Sequence, residues 1–156
     1  MRDEIVGVLQ QNGGAAVCEF ENGTISGAPD ARFCLLVSEK AGRFALPGMP
    51  VILGRHPRRI ALPCRCGICL LDSSHPRALQ LAMRLQLPAV TCGFRAADGL
   101  TCSSLDGGEA LLCLQRGFCS CRGEPIEPFE RPVSGIFSEE QAAAQLLALG
   151  ILLWYS

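Results

Sequence analysis

The sequence predicts an α/β protein with a mixed, largely parallel sheet, flanking helices and an antiparallel pair near the C-terminal half. Apolar runs at 68–71 and 89–92 flank a helical segment that opens at Pro76, and parallel strands require such a crossover. The unbroken apolar run Phe33–Val37 indicates a strand that is buried on both faces. Prolines spaced through 125–132 mark a late segment as an edge strand.

The first third of the chain alternates short apolar runs with polar, glycine-rich or proline-rich stretches. Ile5, Val8 and Leu9 recur at helical spacing and predict the first helix. The predicted elements here are a helix at 4–11, a strand at 15–20, a polar loop at 21–30, a strand at 32–38, a loop at 41–50 and a hairpin that joins 51–53 to 60–62.

The segment Gly67–Leu105 organises the fold. Pro76 has the φ of a first helical turn and no amide hydrogen to lose, so Ser74 or His75 is the predicted N-cap. The helix is expected to end at Leu87 and Pro88. Two further strands are then predicted, at 89–92 and 100–105.

The C-terminal part is predicted to contain an antiparallel pair of strands, at 109–121 and 126–133, followed by a helix. Ser138 and Gln141 have the spacing of a capping box. In a capping box, the side chain of each of the two residues accepts a hydrogen bond from the backbone amide of the other. Gly150 is the predicted stop of this helix, with a terminal strand or tail beyond it.

Composition narrows the classes of function. A chain of 156 residues fits one domain, and a formal charge of −1 gives no electrostatic reason to expect a nucleic-acid partner. The start of the chain lacks the apolar core of a secretory signal, and the most apolar segment, 142–155, is shorter than the roughly 20 residues of a membrane span. We therefore expect a cytoplasmic protein without a membrane span. The apolar C-terminal segment could form a contact between copies of the chain, so the sequence does not decide between a monomer and a homo-oligomer.

Ten cysteines raise the question of metal or redox chemistry. Most lie in apolar runs, where a free cysteine acts as a small buried hydrophobe. The alternative is a zinc site built on Cys64, Cys66 and Cys69, with Cys119 or Cys121 as a further ligand. A thiol-redox pair of Cys66 and Cys69 is a second alternative, although such pairs normally sit at a helix N-terminus rather than before a strand.

From about residue 71 to 151 the chain resembles the second half of the central domain of the Mur ligases, the ATP-dependent enzymes that extend peptidoglycan precursors. Four segments carry the resemblance. They are Leu71–Pro76 for an L-N-A-D-D-P motif, Thr91–Gly93 for T-Y-G, Ala97–Ser103 for A-D-L-T-A-S and Gly135–Gln141 for G-x-H-N-x-x-N. The resemblance implies a Mur-ligase-like fold for 67–156 within a single domain of 1–156, and it leaves 1–66 without a family anchor.

The departures from the family bear on activity. The sequence has no glycine-rich G-x-x-G-K-[ST] loop, and Lys40 is its single lysine. Phe137, Ser138 and Gln141 replace the family's nucleotide-contacting His and Asn residues. Phosphoryl transfer depends on positioning and on neutralising charge, so we expect no ligase activity and no cofactor. The predicted function is a binding or interaction module, with a small molecule or protein partner, linked by resemblance to cell-wall precursor metabolism; the alternative is the zinc-binding or thiol-redox protein.

The predicted ligand site lies at the carboxyl ends of the parallel strands, where open α/β sheets usually bind ligands. A hydrolytic constellation of His75 with Asp72, Ser73 and Ser74 is disfavoured because these residues are sequence neighbours. Helix capping explains Asp72, Ser73 and Ser74 more simply. The candidate ligand-binding residues are Asp72, Ser73, Ser74, His75, Gly93 and Arg95.

Overall fold

A computed structural model describes residues 2–11, 17–21, 24–27, 33–36, 45–53 and 65–156. It contains three helices in these ranges: α1 (Arg2–Gln11), α2 (Pro76–Arg84) and α3 (Glu139–Trp154). The strands of the first half are β1 (Val17–Glu21), β2 (Thr24–Gly27), β3 (Phe33–Leu36), β4 (Ala45–Leu53) and β5 (Arg65–Asp72). Those of the second half are β6 (Ala89–Gly93), β7 (Leu100–Asp106), β8 (Glu109–Leu114), β9 (Phe118–Cys119), β10 (Pro125–Ile126) and β11 (Phe129–Ser134).

Nine of these strands form one mixed sheet in the order β11-β8-β7-β6-β5-β4-β3-β1-β2. The pairings from β1 through β3, β4, β5 and β6 to β7 are all parallel. The two ends of the sheet are antiparallel, with β2 on β1 at one end and β8 and β11 at the other. The predicted class, a largely parallel α/β sheet with an antiparallel pair near the C-terminal half, is confirmed.

Helices cover both faces of the sheet because the side chains of each central strand alternate between two apolar cores. Ile68 and Leu70 of β5 point to a core shared with α1 and α3. Cys69 and Leu71 of the same strand point to a second core, which α2 covers. The helix α3 therefore runs over the middle of the sheet, while α2 packs on the opposite face beside β4 and β5.

The predicted starts of α2 and α3 are confirmed, whereas α2 ends at Arg84, before the predicted Leu87 and Pro88. His75 is the N-cap of α2 and Pro76 occupies its first turn. At α3, the Ser138 hydroxyl accepts a hydrogen bond from the Gln141 amide at 3.2 Å, and the Gln141 side chain accepts one from the Phe137 amide at 2.7 Å. This reciprocal arrangement follows the capping-box pattern, with the second bond displaced by one residue.

The predicted end of α3 is wrong, because the helix continues through Gly150 to Trp154. Gly150 is buried, and an added Cβ there would lie 2.8 Å from a Leu70 methyl carbon and 3.2 Å from one of Leu100. Glycine is thus required by the close approach of α3 to the sheet, and it does not act as a helix stop.

The prediction for residues 41–62 is also wrong in part. Residues 45–50 belong to β4 and are not loop. Val51 pairs with Cys34 of β3 on one side and with Cys69 of β5 on the other, both in parallel register. Residues 51–53 thus have strands on both edges, and the other half of the predicted hairpin, 60–62, lies outside the described residues.

Two smaller differences concern the ends of the sheet. Residues 24–27 form β2, a strand inside the predicted polar loop, and pair with β1. The predicted long strand at 109–121 is divided, and its second part forms the separate two-stranded sheet of β9 and β10. Within the described ranges, no helix has the length and apolarity needed to cross a membrane.

Candidate functional site

The strands β5 and β6 end side by side, with Asp72 opposite Cys92 in parallel register. The Ser73 amide continues this pairing and donates a hydrogen bond to the Cys92 carbonyl at 2.8 Å. Parallel strands with a helical crossover bring their carboxyl ends to one edge, which is why residues 72–75 and 93–95 are neighbours in space. We call Asp72–His75, Gly93–Arg95 and Asp98 the carboxyl-edge cluster.

The centre of this cluster is a buried hydrogen bond between Ser73 and Asp98. The Ser73 hydroxyl donates to Asp98 Oδ2 at 2.9 Å, and the Arg95 amide donates to the same oxygen at 3.0 Å. Asp98 is only 3% exposed. Since a buried carboxylate is stable only with hydrogen-bond donors around it, these contacts fix the loop after β6 to the end of β5.

Gly93 is required by this contact. A Cβ on Gly93 would lie 2.3 Å from the Ser73 hydroxyl oxygen and 2.6 Å from Asp98 Oδ2. No side chain fits there without displacing the hydrogen-bonded pair. The glycine that resembles the end of a T-Y-G motif therefore permits the Ser73–Asp98 contact, and it does not open space for a ligand at its own position.

The second part of the cluster is a local turn before α2. Asp72 Oδ1 accepts a hydrogen bond from the Ser74 amide at 2.8 Å, and the His75 amide donates to the Asp72 carbonyl at 3.1 Å. The ring atom Nδ1 of His75 lies 2.6 Å from the Ser74 hydroxyl and 3.4 Å from Asp72 Oδ2.

This turn does not have the geometry of a catalytic triad. In a triad, one ring nitrogen of histidine faces the nucleophile and the other faces the carboxylate. Here the same Nδ1 faces both Ser74 and Asp72, so it cannot accept a proton from one while donating to the other. The turn residues therefore orient the start of α2, where His75 is the N-cap but no side chain caps the helix by a hydrogen bond. Side-chain capping by Asp72, Ser73 and Ser74 is wrong as a prediction, because Asp72 and Ser74 bond within the turn and Ser73 bonds to Asp98.

The exposed part of the cluster can contact a ligand. Ser74, Phe94 and Arg95 are exposed, and Phe94 shows 44% of its surface to solvent. Because the Arg95 amide is bonded to Asp98, the backbone that carries this side chain is held in place while its guanidinium faces solvent. These exposed groups are a hydroxyl, an aromatic ring and a guanidinium, which are the types of group that contact an anionic ligand with a planar or apolar part.

Cys92 lies directly beneath the cluster. Burial raises the pKa of the Cys92 thiol far above its ordinary value, and the negative charges of Asp98 and Asp72 raise it further. A thiol in this environment stays protonated and is a poor nucleophile at neutral pH. Cys92 is a core residue, as its apolar strand predicts.

The cysteines of the zinc and redox alternatives are spread over different environments. Cys69 is fully buried, and burial, with a further contribution from Cys66, raises the pKa of its thiol well above the ordinary value. Cys66 is half-buried, and Cys119 and Cys121 are exposed. Cys64 lies outside the described residues. In the part of the chain that the structure describes, no three potential metal ligands come together.

Asp98 is the member of the cluster that sequence analysis missed. It stands in the segment 97–103, which carries the resemblance, yet aspartate in a polar turn is commonly solvent-exposed. Its burial depends on a partner that is 25 residues away in sequence, Ser73. The sequence feature that could have indicated its burial is its position two residues before the buried strand β7.

The start of α3 is the other segment that the resemblance associates with ligand binding. Its polar groups are used internally, since Ser138 and Gln141 cap the helix. Phe137 is 76% exposed, and its ring lies against Gly108 in the turn between β7 and β8, where an added Cβ would meet the ring at 2.5 Å. This end of α3 therefore presents an aromatic ring in place of the family's polar contacts.

Comparisons with known proteins assign no family. A scan against protein-family models gives no match, and a search of curated proteins gives no significant match.

Proposed function

We propose that the protein is a small binding module that keeps the framework of the second half of a Mur-ligase central domain without its ATP chemistry. Its ligand would be a peptidoglycan-precursor type of molecule, an anionic nucleotide-linked muramyl species, held at the carboxyl-edge cluster. The observation that carries the proposal is the buried Ser73–Asp98–Arg95 network, which builds a fixed edge with exposed binding groups.

The order of elements supports the framework. The segment 71–76 joins β5 to α2, and Thr91–Gly93 closes β6. The segment 97–103 enters β7, an antiparallel pair follows, and 135–141 opens α3. Each segment that carries the resemblance thus stands at the kind of boundary that the resemblance implies.

The chemistry of the described residues supports binding without phosphoryl transfer. The only lysine in the sequence, Lys40, lies outside the described residues, and the sequence has no phosphate-binding glycine-rich loop. At the carboxyl-edge cluster, the carboxylate of Asp98 is held by internal donors and is buried away from solvent. A metal-bound triphosphate needs accessible carboxylates and amides that are free to contact it, and the Ser73–Asp98 pair is closed to such contacts.

The exposed groups favour a ligand with a diphosphate and a ring system. Arg95 would contact the phosphates through charged hydrogen bonds, and Phe94 would pack against an apolar or planar part. The Ser74 hydroxyl offers a neutral hydrogen bond beside them. The nearby Asp72 carboxylate accepts from the Ser74 amide and lies close to the His75 ring, which limits its repulsion of an anion.

Calorimetric titration with a UDP-linked muramyl peptide, and separately with ATP and magnesium, tests the proposal. We expect saturable binding of the muramyl species and none of ATP. Arg95→Gln should weaken binding about tenfold, the effect of losing roughly one charged hydrogen bond. Arg122→Gln is the matched control, since Arg122 is also exposed but belongs to the turn between β9 and β10.

Two results would contradict the proposal. Hydrolysis of ATP that depends on a muramyl-peptide acceptor would show that ligase chemistry is retained. Binding of the muramyl species with equal affinity by the wild type and Arg95→Gln would place the ligand elsewhere on the molecule.

A further inference from the structure

A cavity of about 160 Å³ lies between the helices α1 and α3 and the strands β8 and β11. The cavity is partly open to solvent, and its lining is mixed. The apolar lining residues include Val8 of α1, Leu112 of β8, and Leu149 and Leu152 of α3.

The polar lining residues, which we call the rim of the cavity, have a different chemistry. They are Gln11, Arg131, Ser134 and Gln145, whose side chains offer amide, guanidinium and hydroxyl donors. No carboxylate lines the cavity among the residues that the structure describes. A space with an apolar floor and a rim of donors, one of them cationic, is complementary to an anion with an apolar body.

The position of Arg131 is informative. Phe129 and Val133, two residues before and after it on β11, pack against the core shared with α1 and α3. Side chains alternate along a strand, so Arg131 is on the same inward face, opposite Leu112 of β8. A guanidinium in a row of core-facing residues has its stem over apolar surface and its charge at the cavity rim.

The size of the cavity limits the ligand. A cavity of about 150 Å³ in another protein holds benzene. The space therefore has room for one ring or a branched group of similar volume within its walls. The C-terminal end of α1 carries a partial negative charge at Gln11, so the anionic group belongs on the Arg131 side of the rim.

We propose that this cavity is a binding site for a small carboxylate with an apolar body about the size of a phenyl ring, with its carboxylate at Arg131. The inference is independent of the proposed function, since the cavity and the carboxyl-edge cluster share no residue.

Titration of the full chain with benzoate, followed by amide chemical shifts in NMR spectra, tests the inference. We expect saturable shifts at the lining residues, and binding about tenfold weaker for benzyl alcohol, which keeps the ring but lacks the charge. Arg131→Gln should weaken benzoate binding about tenfold while leaving benzyl alcohol unchanged. Arg116→Gln, at an exposed arginine outside the cavity, should leave both affinities within about twofold.

A second variant separates the cavity from the charge. Leu149→Phe places a ring in the cavity and should abolish the binding of both probes, while the melting curve shows that the variant is folded. Equal benzoate affinity in the wild type and Arg131→Gln would overturn the inference, as would the absence of saturable binding in the millimolar range. In the latter case, association of Arg131→Val into dimers would assign Arg131 the role of an inward charge that protects an edge strand.

Discussion

The carboxyl-edge cluster and the cavity beside α3 use polar side chains in opposite ways. At the cluster, Asp98 accepts from Ser73 and from the Arg95 amide, and Gly93 leaves no space around them. At the cavity, Arg131 and Gln145 line a space of about 160 Å³ together with apolar side chains. One region is a closed hydrogen-bond network, and the other is a partly open cavity with hydrogen-bond donors in its lining.

The difference teaches which residues hold the fold and which can hold a ligand. Buried polar groups that satisfy one another rigidify a structure, and breaking one bond leaves the other partner unsatisfied. An unfilled apolar space lacks dispersion contacts that a ligand, or a larger side chain, can supply. Mutations should therefore destabilise the protein strongly at the cluster and weakly, or with opposite sign, at the cavity.

The largest effect is expected for Asp98→Ala. It removes the acceptor of the Ser73 hydroxyl and the Arg95 amide, and should lower the free energy of unfolding by about 3 kcal/mol, since each unsatisfied buried donor costs about 1–3 kcal/mol. Urea unfolding measures the change. Asp106→Ala, at an exposed aspartate, should change it by less than about 0.5 kcal/mol. Equal effects of the two substitutions would show that the buried network is not stabilising.

The second largest effect is expected for Gly93→Ala, which should lower the free energy of unfolding by about 2 kcal/mol through overpacking. The added methyl group would displace the Ser73 hydroxyl and Asp98, and the combination with Ser73→Ala should be less than additive because the two changes act on one contact. Gly7→Ala is a control of opposite sign. No atom lies within 4 Å of a Cβ at Gly7 in α1, so alanine there should stabilise the protein by about 0.5–1 kcal/mol. A neutral Gly93→Ala would contradict the close contact.

The Cys92 thiol beneath the cluster predicts a dependence of stability on pH. The pKa of this thiol is raised in the folded protein. Below about pH 8.5 the thiol is protonated in both the folded and the unfolded state, so its ionisation does not lower the free energy of unfolding. As the pH rises further, the unfolded state releases the proton first, and the free energy of unfolding falls by up to about 1.4 kcal/mol per pH unit for this thiol.

Urea unfolding of the wild type and Cys92→Ala between about pH 8.5 and 10 measures this contribution. The free energy of unfolding should fall less steeply with pH in Cys92→Ala than in the wild type, by up to about 1.4 kcal/mol per pH unit. Cys119→Ala, which changes an exposed thiol, should leave the slope as it is in the wild type. A wild-type slope in Cys92→Ala would show that Cys92 ionises equally in both states.

The smallest effect is expected at the cavity. Val133→Ile adds one methylene at the cavity wall and should raise the free energy of unfolding by about 0.5 kcal/mol, somewhat less than the value of a fully buried methylene. Ala148→Val, which adds bulk at a fully buried position of α3, should instead lower it by about 2 kcal/mol. Destabilisation by both would show that the cavity is as tightly packed as the rest of the core.

Local sequence patterns account for a definite part of this structure. Helical spacing and capping residues predicted α1, and the starts of α2 and α3 at Pro76 and Ser138. Apolar runs predicted β3, β5, β6 and β7, and the rule for parallel crossovers placed Asp72–His75 beside Gly93 and Arg95. These features depend on interactions within a few residues, so the sequence alone contains them.

Other features depend on partners far away in the chain, and only the tertiary structure decided them. The pairing of Ala45, Leu46 and Pro50 with β5 made a strand of 45–50 despite its Gly and Pro residues. Gly150 continues a helix because Leu70 and Leu100 pack against it. Asp98 is buried because Ser73 meets it across the strand ends. A residue's own propensity is small compared with the packing and hydrogen bonds that distant segments supply, and the sequence does not state which segments meet.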